Sequence, residues 1–574
     1  MQSFLRKIIG AALSAALLAG CGTASAAPKL AIPTGSDFAA QFADLIDPSA
    51  VQESLSISAW KSETADARIL VQSADSIDAL QASCSDLVSS SGSRIPASEI
   101  QLGFAASISA ARGKKTVQAE DAITDQTTAV FAGRQSRTLW IRIPVSADAK
   151  ADTYAGTVTL QDTNGSQELS IRLEVKDLIL PAESQLTLEL WQYPYSSLRY
   201  YGFGTAFSPA HVSYLKKELE LYRAAGGSSI AVSVQDEPWG HQTYDAYPSM
   251  IQWTRNADYS WSFDFSAFDA WVETCAEAGI DGRILSFSVL PSYNRIIFQD
   301  EVTGQQQTQY LEPGSDDWKT VWGLFLDYYI AHLSEKGWLD RTYIAVDEKS
   351  EADTQQVISL LQAHPSADGR TLKLAAYVSE MPSDLSMLDG IDEVSFAENL
   401  VQQNPSEIAG IAAARRDAGM STSMYTCTGQ YPNSFTYSEP AESVWTALYA
   451  GAQGMSGFAR WAMNAYNENP LATTDVDTYE SGDTMLMYPG PEETPYPSVR
   501  LQMITRGVRD AGKYRYLMTL VKDESLKKQA QDLLDQISSA RVSLSHQDGS
   551  LVIRQVQQAE EMISGLEQAV LNGQ

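Results

Sequence analysis

The sequence predicts an all-β sandwich followed by a (β/α)8 barrel, with a helical pair at the end of the chain. Three observations predict it. Strands of alternating apolar residues occupy the first part, eight strand-like runs separated by helical patterns follow Pro181, and two apolar helical stripes close the sequence. The expected divisions are a leader over 1–20, the sandwich over 21–184, the barrel over 185–517 and a helical hairpin over 518–574.

Arg6 and Lys7 precede an apolar run from Ile8 to Leu18, too short to span a bilayer and suited to the centre of a signal peptide. The run ends in LLAGCG, which resembles a bacterial lipoprotein signal in which Cys21 becomes the lipidated first residue; secretory cleavage near ASAA is the competing reading. No later segment is apolar over the length a span requires. The expectation is a folded body tethered by Cys21 to the outside of a bacterial membrane or cell surface.

In the sandwich, Leu55, Ile57 and Ala59 alternate, as do Leu139, Ile141, Ile143 and Val145, and then Leu169, Ile171, Leu173 and Val175. Asn164-Gly165, between GTVTLQDT and the last of these runs, is a strong hairpin signal. The barrel strands are expected at LTLELW (from Leu186), SSIAVSV (Ser228), GRILSFSV (Gly282), TYIAV (Thr342), LKLAAYV (Leu372), DEVSFA (Asp392), TSMYTC (Thr422) and SGFARW (Ser456). Ser208-Pro209 reads as an N-cap and first-turn proline ahead of Val212, Leu215, Leu219 and Tyr222. At the C-terminal end, Leu526, Ala530, Leu533 and Ile537 form one stripe and Val552, Val556, Ala559, Ile563 and Leu566 another, separated by SHQDGS. This pair either packs on the barrel, as such stripes usually do, or serves as a docking surface.

Composition narrows the function. A formal net charge of −30 over 574 residues argues against nucleic-acid partners, which require a locally basic surface. Beyond Cys21 only Cys84, Cys275 and Cys427 remain, widely spaced, so no disulfide framework is visible; Cys275 sits in a helical pattern as a small hydrophobe. The five histidines lack metal-ligand spacing, so no metal site is expected.

Within RTYIAVDEKSE, the expected fourth barrel strand runs straight into Asp347 and Glu348. Two neighbouring carboxylates repel when both are ionised, so one holds its proton near neutral pH and can act as a general acid while the other stays anionic. Glycosidic cleavage needs that division, because a leaving oxygen must be protonated beside an oxocarbenium-like centre. A solvated Asp-Glu loop is the competing reading, and Asp236-Glu237 forms a second such pair at a strand end. In a barrel, the strand ends carrying Asp347 and Glu348, WQYPYS, QDEPWGHQ, CTGQYPNSF and RWAMNAY converge on one mouth.

At these residues the chain resembles glycoside hydrolase family 123, a group of bacterial β-N-acetylgalactosaminidases and related domains. The likeness runs through AWKSE, ADAKADTYAGTVTL, LWQYPYSSLRYYGF, EPWGHQT and FDFSAFDAW, and is densest in YTCTGQYPNSFTYSEPAESVW, GFARWAMNAYNENPL and SGDTMLMYPGP. It implies a sandwich followed by a barrel, and a retaining exo-acting hydrolase of terminal β-GalNAc. In that reading the substrate's 2-acetamido carbonyl attacks the anomeric carbon to give an oxazolinium intermediate, with neither cofactor nor metal. By the resemblance, Glu348 protonates the glycosidic oxygen and later deprotonates water, while Asp347 holds and polarises the acetamido N–H.

Other mouth residues are candidates for the sugar. Trp191, Trp239, Tyr425 and Trp461 are expected to stack on it or shape the acetamido pocket, and Gln242, Asn464 and Asp483 to bond its hydroxyls. Core packing is the competing reading for each tryptophan, a turn cap for Asp483, and a structural ion pair for nearby Arg460. Two departures from the family pattern stand out: Lys349-Ser350 follows the pair where Arg-Pro is frequent, and YPGPEETPYPSVR carries extra residues, expected to lengthen a loop at the barrel rim. The remaining alternatives are a glycosidase of the same scaffold acting on another sugar and a carbohydrate-binding lipoprotein without turnover.

Overall fold

Leu139, Ile141 and Ile143 meet Ile69, Ala67 and Ala65 across an antiparallel ladder, so the predicted alternation places one face of each strand against a shared interior. A computed structural model of the chain describes residues 29–31, 54–542 and 549–573. Cys21 and its leader lie outside them.

The N-terminal region holds two sheets. One runs in the order Lys29–Ala31, Thr64–Ser73, Gln135–Pro144, Gln101–Arg112 and Lys115–Ile123. The other runs Ser54–Lys61, Gly165–Ile179, Thr153–Asp162, Ser76–Cys84 and Thr128–Ala132, with two short strands beside it. Leu55, Ile57 and Ala59 pair in parallel with Ile171, Leu173 and Val175, and one hydrophobic cluster draws on both sheets. The expected hairpin is present, displaced by a residue: Asp162 pairs with Gly165, so Asn164 lies in the turn and Gly165 opens the return strand. The Asp162 carboxylate draws the loop closed by accepting from the N–H groups of Asn164 and Gly165 at 2.8 and 2.9 Å.

The region that follows is a curled, all-parallel sheet of eight strands, and each of the eight predicted runs supplies one. In chain order they are Thr187–Leu190, Ile230–Ser233, Ile284–Phe287, Thr342–Asp347, Lys373–Val378, Glu393–Ala397, Ser421–Thr426 and Gly457–Arg460, with the first and second at the ends of the pairing order. Between those two the backbone makes only an isolated bridge, Leu188 to Gly227. Side chains satisfy the groups left over: Gln192 accepts from the Ala231 N–H at 2.9 Å, and the Tyr222 hydroxyl donates to the Leu188 carbonyl at 3.1 Å.

Two departures from a regular β/α repeat mark this sheet. The connection from the fifth strand to the sixth has a 3-10 turn, Leu385–Gly390, in place of an α-helix. A separate four-stranded sheet (Gln252–Arg255, Trp261–Asp264, Arg295–Asp300 and Gln305–Tyr310) is built from the loops after the second and third strands. Ser208 does precede a helix, Pro209–Ala224, but its hydroxyl makes no capping bond, and Pro209 supplies the start signal.

The segment expected to lengthen the rim folds back as a short hairpin. Met487–Pro489 pairs with Pro495–Pro497, and the Tyr496 hydroxyl donates to Asp125 of the N-terminal region at 2.8 Å. Tyr488 and Tyr496 bury against Ile108 and Ala122, and the Gly490 carbonyl accepts from the Tyr201 hydroxyl at 2.6 Å, which ties the extra residues to the N-terminal region and to the helix after the first strand. The terminal helices, Glu524–Ser538 and Gly549–Leu571, pack on the protein's own surface. Trp445 donates to Gln555 and Trp60 to Glu567, each at 2.7 Å, so the last helix bridges the two regions. Among the described residues no helix is long and apolar enough to cross a membrane.

Candidate active site

Asp347 ends the fourth strand, paired with Tyr377 of the fifth. Glu348 follows with φ 48°, a left-handed backbone that a non-glycine residue adopts at a cost, and its N–H is held by the Tyr377 carbonyl at 3.0 Å. This turn breaks the alternation of strand side chains and brings both carboxylates into one cleft. The cleft, of about 210 Å³, is lined at its floor and walls by Trp191, Tyr377, Tyr425, Arg460, Trp461 and Tyr479, with Gln242 at the rim. Strand ends one, two, four, seven and eight all contribute, and so does the fifth through Tyr377.

The pair divides its protons unequally. Burial first, then the charge of Glu348, push the half-buried Asp347 carboxyl up to about 7, with Lys349 pulling weakly the other way. Glu348 is exposed and accepts a short hydrogen bond from the Tyr425 hydroxyl. The carboxyl raised into the neutral range is thus that of Asp347, whereas the resemblance gives the acid role to Glu348.

The tryptophans take different places. Trp191 lines the cleft, its indole N–H donating to Glu189 at 3.0 Å; the Tyr377 hydroxyl donates to the same carboxylate. One buried acid thus positions two floor residues, and Arg283 at 3.4 Å supplies its counter-charge. Trp239 stacks on Trp191 at 5.0 Å and 14°, as a layer beside it. Trp461 also lines the cleft, with the Tyr479 ring 5.1 Å from its own.

Asn464 and Asp483 face the protein. Asn464 accepts from the Tyr193 N–H at 2.8 Å and donates to Glu218 at 2.9 Å, so its amide is engaged behind the wall. Asp483 is fully buried and pairs with buried Arg460 at 2.6 Å, which is the ion-pair reading of that arginine. Asp236 and Glu237 clasp their own loop. Asp236 accepts from the Ser249 N–H at 2.6 Å, while Glu237 accepts from His241 at both its N–H and ring at 3.0 Å, closing the loop that presents Trp239 and Gln242.

Residues 191–517 match the model of the glycoside hydrolase 123 catalytic domain, and residues 42–162 match that of the glycoside hydrolase 123 N-terminal domain. The chain belongs to glycoside hydrolase family 123. It is a glycosidase. The fold is shared with a family 123 glycoside hydrolase from Clostridium perfringens, whose structure was analysed for glycolipid glycan hydrolysis: identity is 28%, 92% of this chain and 95% of that one are covered, and the TM-score is 0.84. A protein from Bacteroides vulgatus ATCC 8482 is far more remote, at 9% identity, 81% and 79% coverage and a TM-score of 0.32, a likeness that carries no argument. None of the curated protein sequences compared matches the chain.

In this family 123 enzyme, Tyr377, Tyr479 and Glu189 are site residues that sequence reasoning missed. Tyr377 stands at a strand end and was open to the same inference that found Trp461. Tyr479 lies well beyond the eighth strand in an irregular loop, and no local pattern marks it.

Proposed function

We propose that the enzyme is a retaining exo-β-N-acetylgalactosaminidase working by substrate assistance, on a sandwich followed by a (β/α)8 barrel whose seam is completed by Gln192 and Tyr222. One observation carries the mechanism. Among the described residues lining the cleft, only Asp347 and Glu348 bear carboxylates, and they are adjacent in the chain. A protein nucleophile in a retaining glycosidase needs a second carboxyl about 5 Å from the acid across the scissile bond. With no further carboxylate among the described residues lining the cleft, the nucleophile is best supplied by the substrate.

The acetamido oxygen then bonds to the anomeric carbon as the glycosidic bond breaks, and Glu348 gives its proton to the leaving oxygen. Asp347 accepts the acetamido N–H and stabilises the positive charge of the oxazolinium. Water next attacks the anomeric carbon, returning a proton to Glu348 and reopening the acetamide. For this cycle the pair's single proton must sit on Glu348, and substrate drives it there. An N–H donated to Asp347 favours its anion and frees that proton for the acid role at Glu348. Trp191 and Trp461 would pack the sugar, Gln242 would bond a hydroxyl, and Tyr425 orients Glu348; Trp239, Asn464 and Asp483 hold these groups in place.

A thiazoline derived from GalNAc tests the reading. Its fused ring imitates the intermediate and should inhibit competitively, at least 100-fold more tightly than GalNAc itself. Equal potency of the two, or stronger inhibition by a galactose-derived iminosugar, would point to another sugar and another mechanism.

We also propose that Cys21 carries the lipid anchor, on the strength of LLAGCG. Expressed in a bacterium with lipoprotein processing, the protein should partition with membranes, and Cys21→Ser should release it; equal partitioning of the two forms would refute the anchor.

A further inference from the structure

Beside the cleft lies a second, larger hollow of about 510 Å³, and Gln242 and Tyr479 line both. The walls of the hollow are residues 241–244, from the loop after the second strand, and part of 467–479, from the loop after the eighth. Arg199 rivets these loops together: its Nε pairs with Asp245 at 2.5 Å, and its Nη2 donates to the carbonyls of Tyr466 and Asn467 at 3.2 and 2.9 Å. The same guanidinium covers one face of Tyr244 at 4.7 Å from the ring centroid and leaves the residue 51% exposed.

The outer wall is fixed from the N-terminal region. In the strand Gln101–Arg112, the Ser109 N–H donates to the Ala472 carbonyl at 3.0 Å, and the Ser109 carbonyl accepts from the Thr474 N–H at 3.1 Å. The Ala111 N–H donates to Asp475 at 2.6 Å. A long loop that would otherwise be free to move is thereby held in one shape, which gives the N-terminal region a part in forming the groove.

The lining chemistry is one-sided. Glu468 and Asp477 are exposed carboxylates, Asp475 adds a third, and among the described residues lining the groove there is no lysine or arginine; Arg199, against Tyr244, is paired with Asp245, and His241 is engaged with Glu237. Thr243, Asn469 and Thr478 add hydroxyl and amide groups. A pyranose ring presents a face of C–H groups that an exposed tyrosine ring can cover, and a rim of hydroxyls that carboxylates and amides can bond.

We propose that this groove is the leaving-group site, taking one or two uncharged sugar rings with one stacked on Tyr244, and rejecting leaving groups that carry sulfate or carboxylate. The proposal rests on the reading of the cleft as the site of β-GalNAc cleavage. Like-charge contact with Glu468 and Asp477 is the basis of the rejection.

The test compares kcat/KM for an aryl β-N-acetylgalactosaminide, for β-GalNAc attached to lactose, and for that trisaccharide sulfated on the lactose. Tyr244→Ala should lower the trisaccharide-to-aryl ratio about tenfold. A Glu468→Lys/Asp477→Lys double variant should raise the sulfated-to-neutral ratio by at least that factor. Unchanged ratios in both variants would overturn the proposal. Binding of lactose alone, followed by saturation-transfer NMR, separates this proposal from the proposed function: it should be seen with wild type and lost in Tyr244→Ala. Should wild type cleave no N-acetylgalactosaminide, the proposed function falls while the lactose result still decides the groove; equal lactose binding by both proteins rejects it.

Discussion

Glu348→Gln is expected to slow hydrolysis of a natural-type disaccharide by about 10²- to 10⁴-fold, because an amide has no proton to give the departing oxygen. An aryl glycoside with an acidic phenol should lose much less, since its leaving group needs little help. The fold should survive. Glu348 is exposed, its left-handed backbone suits glutamine as well as glutamate, and the Tyr425 hydroxyl can still donate to the amide oxygen. Melting temperature should therefore stay close to that of wild type. The substitution also removes the negative charge that helps hold the proton on Asp347, so Asp347 should titrate below its wild-type position of about 7. Wild-type turnover of the disaccharide by this variant would remove Glu348 from the acid role.

How far the sequence reveals this site follows from what each kind of pattern reports. The eight strands of the curled sheet are readable because strands buried on both faces form short apolar runs, such as the one around Ile230–Ser233. The accessory sheet is not. Its strands are short or, like the glutamine-rich Gln305–Tyr310, largely exposed, and they lack the apolar periodicity on which recognition depends. The adjacency of Asp347 and Glu348 is written in the chain, but the position of their proton depends on how surrounding residues exclude water. Strand-end position likewise tells which mouth a residue stands at and not where its side chain turns: Trp461 faces the cleft, whereas Asn464, three residues on, turns to Glu218. Local cues also miss contacts made over long separations. The bond from Tyr496 to Asp125 ties the glycine-proline segment to the N-terminal region, and only the folded chain brings those residues together.

Asp347→Asn should separate function from stability. Turnover should fall by about 10²- to 10³-fold, the usual loss when a preorganised stabiliser of transition-state charge is removed, and KM should change less. Substrates without a 2-acetamido group, if cleaved at all, should be indifferent to the change. Stability should move in the opposite direction. Burial and Glu348 raise the Asp347 carboxyl from 3.8 to about 7, so between those values the native state holds a proton that the unfolded chain has released. Stability from this group therefore declines as pH rises through that window, and above about 7 the native protein keeps an unfavourable buried anion beside Glu348. Asparagine has the same shape and no charge to bury. The variant should melt at a higher temperature than wild type at pH 8, and the difference should shrink as pH falls towards 4. The same titration predicts that wild-type kcat/KM falls above about pH 7, where the pair loses the one proton the reaction requires. Melting curves at three pH values, read beside a pH–rate profile, check both signs. A variant no more stable than wild type at pH 8 would mean that Asp347 is ionised at little cost in the free enzyme, and the proton transfer to Glu348 on substrate binding would then have no basis.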